Sequence, residues 1–234
     1  MGVRRYTVYT STIGRPMTHA RTSARTYART AGALYLSTHV TSVLAVVAYD
    51  SGALRLGVLL EVLLALGCLG TGVLLLVLLR PYGEARAVTF ALLRTLEAAV
   101  IAAGTLPMLA LAWRDAGTGP MAAALTDLHT AAFLVGQGLV IAVNTVVLGW
   151  LLLDARVVPR ALGMLGVGGG VLVLVGNLAQ LFDVIPLGGT VAGLCAVPVF
   201  AFEIWWAVLL LTRGLRAPAA PDVPADVPDR VAAR

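Results

Sequence analysis

The chain has 234 residues, of which 59% are apolar and only 12% are charged, and its formal net charge is +5. A soluble domain reaches about 45–50% apolar residues only when glycine is counted, and it carries about 25% charged residues. So few charged side chains cannot cover a soluble globule, which excludes a soluble enzyme and a nucleic-acid-binding domain. The composition therefore predicts an integral membrane protein whose partners are membrane lipids and not nucleic acid.

Six segments are long and apolar enough to cross a membrane as helices. A spanning helix needs about 20 mostly apolar residues, because the hydrocarbon layer is about 30 Å thick and a helix rises about 1.5 Å per residue. Glycine, proline and aspartate, which are typical of turns, separate the segments. We therefore predict an all-α membrane bundle of six transmembrane helices, with seven as the alternative. The predicted ranges are 30–49, 54–79, 87–113, 121–153, 161–182 and 191–212.

The arginines predict how the bundle is oriented, since basic residues are enriched in short cytoplasmic loops. Of the 17 basic residues, all arginine, 14 lie before the first segment, after the last, or in the second and fourth connections. Arg55, at the start of the second segment, and Arg114, in the third connection, lie on the other side. We therefore expect both termini in the cytoplasm. The use of arginine alone is typical of a GC-rich bacterial genome, so we expect a bacterial inner (plasma) membrane.

The two ends of the chain differ in composition from the segments between them. Residues 1–29 are rich in arginine, threonine and serine and contain no acidic residue, whereas residues 213–234 contain four prolines among alanine and aspartate. Neither stretch can bury enough apolar surface to fold alone. We predict a flexible basic cytoplasmic tail at 1–29, a transmembrane domain at 30–212 and a disordered cytoplasmic tail at 213–234. Met1 and Met17 both remain candidates for the start.

The predicted helices contain the ionisable side chains of Glu61, Arg94, Glu97 and Glu203, each of which needs a partner, a cavity or water. Arg94 and Glu97 are three residues apart and share a helix face, so they can pair. Glu203 has no basic neighbour in its own helix, and a neutral carboxylic acid in an apolar pocket suits general-acid chemistry. Glu203, Glu97 and Glu61 are therefore the candidate catalytic residues, and Arg94 is a candidate anchor for a polar substrate group. The alternative is a structural network, in which Arg94 pairs with Glu97 and Glu203 bonds Arg94 across the bundle.

Further polar side chains in the first, fourth and fifth predicted helices extend this interior toward the predicted outer face. With a tryptophan two residues after Glu203, they complete the candidate substrate-binding set: His39, His129, Gln137, Asn144, Asn177 and Trp205.

Two of these residues, His39 and His129, lie at similar predicted depths, an arrangement that would permit two haem ligands or part of a metal site. Without a recognisable motif, two histidines are more often hydrogen-bonded interior residues, so we expect no metal and no other cofactor. The sequence contains no nucleotide-binding, zinc or hydrolase motif. It does not predict the oligomeric state.

Four short motifs carry a resemblance to a known family. They are ARTAGALYL at 28–36, RTLE at 94–97, PRALG at 159–163, and Glu203 ahead of Arg213-Gly214. In their order and spacing, they resemble the bacterial integral-membrane family called domain of unknown function 4386, over residues 25–215. The resemblance implies a bundle of six or seven helices in the inner membrane. It implies no established activity, so it assigns no catalytic role to any residue.

Three classes of function remain open. In the class that we favour, the protein has an intramembrane pocket that binds or acts on a hydrophobic small molecule, such as a lipid or isoprenoid. Buried carboxylates serve as acid or base, as they would in a membrane-bound cyclase. This class predicts an apolar pocket that opens sideways to lipid, with a carboxyl group at its base. A small proton-coupled transporter instead predicts a water path from both sides at different times. A structural or regulatory subunit predicts mutually satisfied polar groups and no cavity.

The predicted orientation can be tested with a reporter fused after Arg234. A reporter that is active only in the cytoplasm should be active there, and one that needs export should be silent. The opposite pattern would contradict an orientation with both termini inside.

Overall fold

A computed structural model describes residues 17–114 and 118–215 of the chain, with side chains from residue 24 onward. A 3₁₀ turn, Arg80–Tyr82, follows the second helix, and a π-helical segment, Leu134–Val140, joins the fourth helix to the fifth. No β-strand occurs within the described ranges. The helices are α1 (Met17–Asp50), α2 (Leu54–Leu79), α3 (Glu84–Arg114), α4 (Pro120–Phe133), α5 (Ile141–Ala155), α6 (Arg160–Leu181) and α7 (Thr190–Thr212).

Six helical stretches are long and apolar enough to cross a membrane, and α4, the π-helical segment and α5 together form one of them, Pro120–Ala155. The predicted all-α bundle of six transmembrane helices is confirmed. Each span packs against the next along the chain, and α7 packs back against α1, so the spans form a closed ring. Polar side chains inside such a ring are shielded from lipid by the helices themselves.

Helix α1 begins 13 residues earlier than the predicted span, at Met17 and not at residue 30. Ala28 and Ala31 are fully buried, and a Cβ atom added to Gly32 would lie only 2.7 Å from the carbonyl oxygen of Ala207. These small residues let α1 pack closely on α7. Hydropathy does not detect this extension, because arginines at 21, 25 and 29 lower the mean although they are compatible with a helix. The rest of the predicted basic tail, 1–16, and residues 216–234 of the predicted C-terminal tail lie outside the described ranges.

One half of the bundle is solidly packed with apolar side chains. This half contains the start of α1 and the end of α7, and we call it the termini half. Its core is a cluster of 17 buried residues from six helices, with Tyr35, Phe90, Phe202 and Trp206 among the largest. The polar interior of the protein lies at mid-bundle and in the opposite half, which we call the far half.

The π-helical segment interrupts a span that the sequence predicts as one regular helix. A π-helical turn contains one more residue than an α-helical turn, and such turns are frequent at functional sites. Gly136 and Gly138 are buried in this segment, and a Cβ atom on Gly138 would lie 2.7 Å from Oδ1 of Asn177 in α6. The segment therefore allows α6 to approach closely.

Candidate functional site

The centre of the polar interior is an ion pair within α3. The side chains of Arg94 and Glu97 are each only 2% exposed. Nη1 of Arg94 donates to both carboxylate oxygens of Glu97, at 3.1 and 3.0 Å. The three-residue spacing places both side chains on one helix face, so the pair forms within a single helix.

Neighbouring helices satisfy the remaining hydrogen-bonding groups of this pair. Nε and Nη2 of Arg94 both donate to Oγ1 of Thr71 in α2, each at 3.2 Å. The guanidinium carbon lies 5.1 Å from the ring centre of Tyr35 in α1, within the range of a cation–π contact. Nδ2 of Asn144 in α5 donates to Glu97 at 2.6 Å. One buried ion pair thus connects α1, α2, α3 and α5.

A second carboxylate pairs with a histidine between α1 and α7. Nε2 of His39 lies 3.3 Å from Oε2 of Glu203, and Nδ1 of His39 lies 2.8 Å from the carbonyl oxygen of Tyr35. Because a carbonyl oxygen only accepts, Nδ1 must carry a hydrogen. The hydrogen between Nε2 and Glu203 then belongs either to the imidazole or to the carboxyl group. This pair can therefore hold a proton and transfer it between the two side chains.

A third carboxylate, Glu61 in α2, lies near a histidine but is hydrogen-bonded by a tyrosine. Nδ1 of His129 lies 2.9 Å from the carbonyl oxygen of Gly104 in α3, and its Nε2 lies 3.6 Å from Oε1 of Glu61. The hydroxyl group of Tyr49 at the end of α1 donates to Glu61 at 2.8 Å. We call Tyr49, Glu61 and His129 the far-half cluster. It joins α1, α2 and α4 through side chains alone.

A cavity of about 220 Å³, the central cavity, brings two of these pairs into one wall. Arg94 and Glu97 line it together with His39 and Glu203, and apolar side chains such as Leu64 and Val199 complete it. The site thus combines two carboxylates, an imidazole and a guanidinium with an apolar surface. Such a set can transfer protons and hold a largely apolar guest.

A second cavity of about 330 Å³ lies beside the connection between α6 and α7, and we call it the loop cavity. Its polar lining consists of Gln137, Asn177 and Gln180 with Thr130 and the backbone of Gly188. Gln137, in the π-helical segment, lines both cavities. The two cavities are therefore neighbours that share a wall.

The structure brings together part of the candidate set drawn from the sequence. Glu97, Glu203, Arg94, His39 and Gln137 all line the central cavity. Asn144 is buried behind Glu97, and Asn177 lines the loop cavity.

Besides Asn144 and Asn177, three members of that set do not line the central cavity. Glu61 and His129 belong to the far-half cluster, and Trp205 is 41% exposed on the outer surface of α7 and lines neither cavity. The structure contradicts the alternative in which Glu203 forms a hydrogen bond with Arg94, because the described polar partner of Glu203 is His39.

Residues outside the candidate set also contribute to these sites. Thr71 and Tyr35 surround Arg94, and Tyr49 bonds Glu61. Thr71 shares a helix face with Glu61, and Tyr35 shares one with His39, so helical periodicity was the available signal. Tyr49 lies at the end of a predicted span, where tyrosine is typical of the membrane interface whether or not it has a partner.

The two histidines that raised the question of a metal are held in separate clusters, each beside one glutamate. Within residues 17–114 and 118–215, no group of three or more histidine, cysteine, aspartate or glutamate side chains is placed to hold a metal ion.

A closed ring of six apolar spans around buried polar groups defines a multi-pass membrane protein with an interior site. The chain belongs to the family described as domain of unknown function DUF4386, whose model matches residues 26–214, so the family resemblance is confirmed. No curated protein and no solved structure matches the chain.

Removal of one partner of the central ion pair should be far more damaging than removal of both. Arg94→Met leaves Glu97 buried without its cation, and breaking a buried pair in this way costs about 3–5 kcal/mol of the free energy of unfolding. Arg94→Met/Glu97→Gln removes both charges and should recover much of that loss. Thermal unfolding in detergent measures both effects, with Thr95→Ala on the exposed face of α3 as the control. An Arg94→Met protein as stable as the control would contradict this assignment.

Proposed function

We propose that the protein binds and acts on a hydrophobic small molecule, such as a lipid or an isoprenoid, in the central cavity, and that it does so in a bacterial inner membrane. The observation that carries this proposal is the wall of that cavity, which places two carboxyl groups among apolar side chains inside the membrane. Ligand sites are typically apolar pockets with a few converging polar groups.

Access to the central cavity from the lipid is supported by two of its lining residues. Val43 in α1 and Phe200 in α7 both line the cavity, and they are 55% and 50% exposed on the outside of the bundle. Side chains that face both the cavity and the lipid mark a lateral opening between α1 and α7. A hydrophobic molecule could enter there without crossing water.

The chemistry that this site suits best is acid–base catalysis. Glu203 and His39 both line the cavity, and Nε2 of His39 lies 3.3 Å from Oε2 of Glu203. When the proton is on Glu203, the carboxyl group can give it to a double bond or to a departing oxygen of the guest, and it can take a proton back later in the reaction. A membrane-bound cyclase is one reaction class that starts in this way. Arg94 is already engaged by Thr71 and Glu97, so its role is to hold the Glu97 side chain in place beside the guest.

One observation favours transport as a second candidate. The termini half is closed by its apolar cluster, whereas both cavities have their polar lining at mid-bundle or in the far half. A transporter that opens to one side of the membrane at a time is likewise closed at one end and accessible from the other in each of its states. The same carboxyl groups would then couple proton movement to substrate movement.

A purely structural role for the polar residues is disfavoured by the central cavity. If the interior polar groups served only to lock helices together, they would be packed against one another with no open space. Arg94 and Glu97 are paired in that manner, but they also line the cavity.

Extraction of bound molecules tests the proposal. Organic compounds from the detergent-purified protein are identified by mass spectrometry and compared between the wild type and a folded Glu203→Gln variant. We expect a hydrophobic compound near one molecule per protein in the wild type, changed in identity or reduced severalfold in the variant. Glu84→Gln is the matched control, because Glu84 is an exposed glutamate paired with Arg80 outside the cavity.

Two outcomes would contradict the proposal. Bulk membrane lipid alone in every sample would leave transport or a structural role as the better explanation, and flux assays in proteoliposomes would follow. An equal change in the Glu84→Gln control would show that the effect does not come from the cavity.

A further inference from the structure

We propose that the loop cavity is a second compartment of the same site, and that it holds an uncharged end of the molecule that carries hydroxyl or amide groups. This inference rests on the proposed function, in which the apolar body of that molecule occupies the central cavity. The substrate class is then a neutral-headed amphiphile, as opposed to a pure hydrocarbon or a charged lipid.

The two cavities share part of their lining. Gln137, Val173 and Ala196 line both of them. Oγ of Ser42 in α1 donates to Oε1 of Gln137 at 3.2 Å, and Ser42 itself lines the central cavity. Rotation of the Gln137 side chain away from Ser42 would therefore join the two spaces, at the cost of one partly buried hydrogen bond.

The volumes agree with a single divided site. The central cavity, about 220 Å³, is smaller than a typical ligand pocket, and such pockets occupy about 300–1,000 Å³. With the loop cavity of about 330 Å³, the joined space falls inside that range. A guest large enough to need both compartments would extend from Glu203 past Gln137 toward Gly188.

The loop cavity is prepared for hydrogen bonding by a chain of side-chain amides. The backbone N–H of Gly188 donates to Oε1 of Gln180 at 3.0 Å, and Nε2 of Gln180 donates to Oδ1 of Asn177 at 3.0 Å. Nδ2 of Asn177 donates in turn to the carbonyl oxygen of Val173 at 2.8 Å. Each amide group has two hydrogens and two acceptor positions, so this chain leaves donors and acceptors of Asn177 and Gln180 for a guest.

The lining of the loop cavity selects against charge. None of the described residues that line it carries a charged side chain. An ion placed there would lose hydration without gaining a counter-ion, whereas a hydroxyl or amide group can exchange its water contacts for those of the amide chain. The central cavity is different, because it has Arg94, Glu97 and Glu203 in its wall. An uncharged polar end therefore fits the loop cavity better than an ion does.

Cys195 offers a direct readout, because it lines the loop cavity and is partly exposed. The protein is placed in lipid nanodiscs and treated with a water-soluble thiol reagent, and modification of Cys195 is followed by peptide mass spectrometry. Octyl glucoside is compared with octyl sulfate and octyltrimethylammonium, all below their micelle-forming concentrations. We expect the neutral, hydroxylated head group to slow modification at least about tenfold more effectively than either charged head group, since one lost buried hydrogen bond or an unpaired charge is worth about that factor.

Two substitutions should weaken this protection by octyl glucoside. Asn177→Leu removes the central amide at similar volume, and Gly138→Ala places a Cβ atom 2.7 Å from Oδ1 of Asn177 and displaces that side chain. Each variant should raise the half-protecting concentration about tenfold. Gly168→Ala is the matched control, because a Cβ atom at Gly168 meets nothing within 4 Å.

The possible results separate this inference from the proposed function. Equal protection by octyl sulfate, protection by free glucose as effective as that by octyl glucoside, or a Cys195 that never reacts would overturn the second compartment. If the extracted compound depends on Glu203 as expected and no probe protects Cys195, the inference fails and the proposed function stands. If the extracts do not depend on Glu203 either, both fail.

Discussion

A charged pair inside a membrane is the constraint around which this bundle is built. An ionised side chain in the hydrocarbon region costs several kcal/mol unless it is paired and hydrogen-bonded. Arg94 and Glu97 meet that condition within one helix, but each needs more partners than α3 supplies. Thr71, Asn144 and Tyr35 provide them from three other helices. The positions of α1, α2 and α5 around α3 are therefore fixed by the need to satisfy two buried ions.

The other two interior carboxyl groups follow a different rule. Glu203 and Glu61 each face the Nε2 atom of a histidine whose Nδ1 hydrogen is directed to a backbone carbonyl oxygen. Only the Glu203–His39 pair, at 3.3 Å, is close enough for a proton to pass between imidazole and carboxyl group, since Nε2 of His129 and Oε1 of Glu61 are 3.6 Å apart. The bundle thus contains a fixed ion pair and one proton-holding pair at its centre. Both line the central cavity, and this juxtaposition is the basis for the proposed chemistry.

Hydropathy and helical periodicity predict much of this protein. The six spans and the pairing geometry of Arg94 with Glu97 depend only on residues close in sequence, so the sequence contains the information. The partner of Glu203 depends on α7 closing the ring against α1, which no local pattern specifies. For the same reason, Glu61 and His129 are candidates by residue type, yet they lie in a cluster away from the central cavity.

A pattern of residue types also does not specify which of two adjacent side chains faces the interior. Adjacent residues on a helix point about 100° apart, and Trp206 is buried whereas its neighbour Trp205 is exposed. Hydropathy does not reveal the early start of α1, because arginines lower it there and close packing between small residues does not raise it.

The most direct test of the central claim is an experimental density map of the protein purified from its native membrane and held in lipid nanodiscs. We expect elongated density that enters between Val43 and Phe200 and ends within hydrogen-bonding distance of Glu203 or His39. A map in which α1 and α7 are packed together along their length, with the central cavity closed and Glu203 bonded only to protein groups, would contradict it.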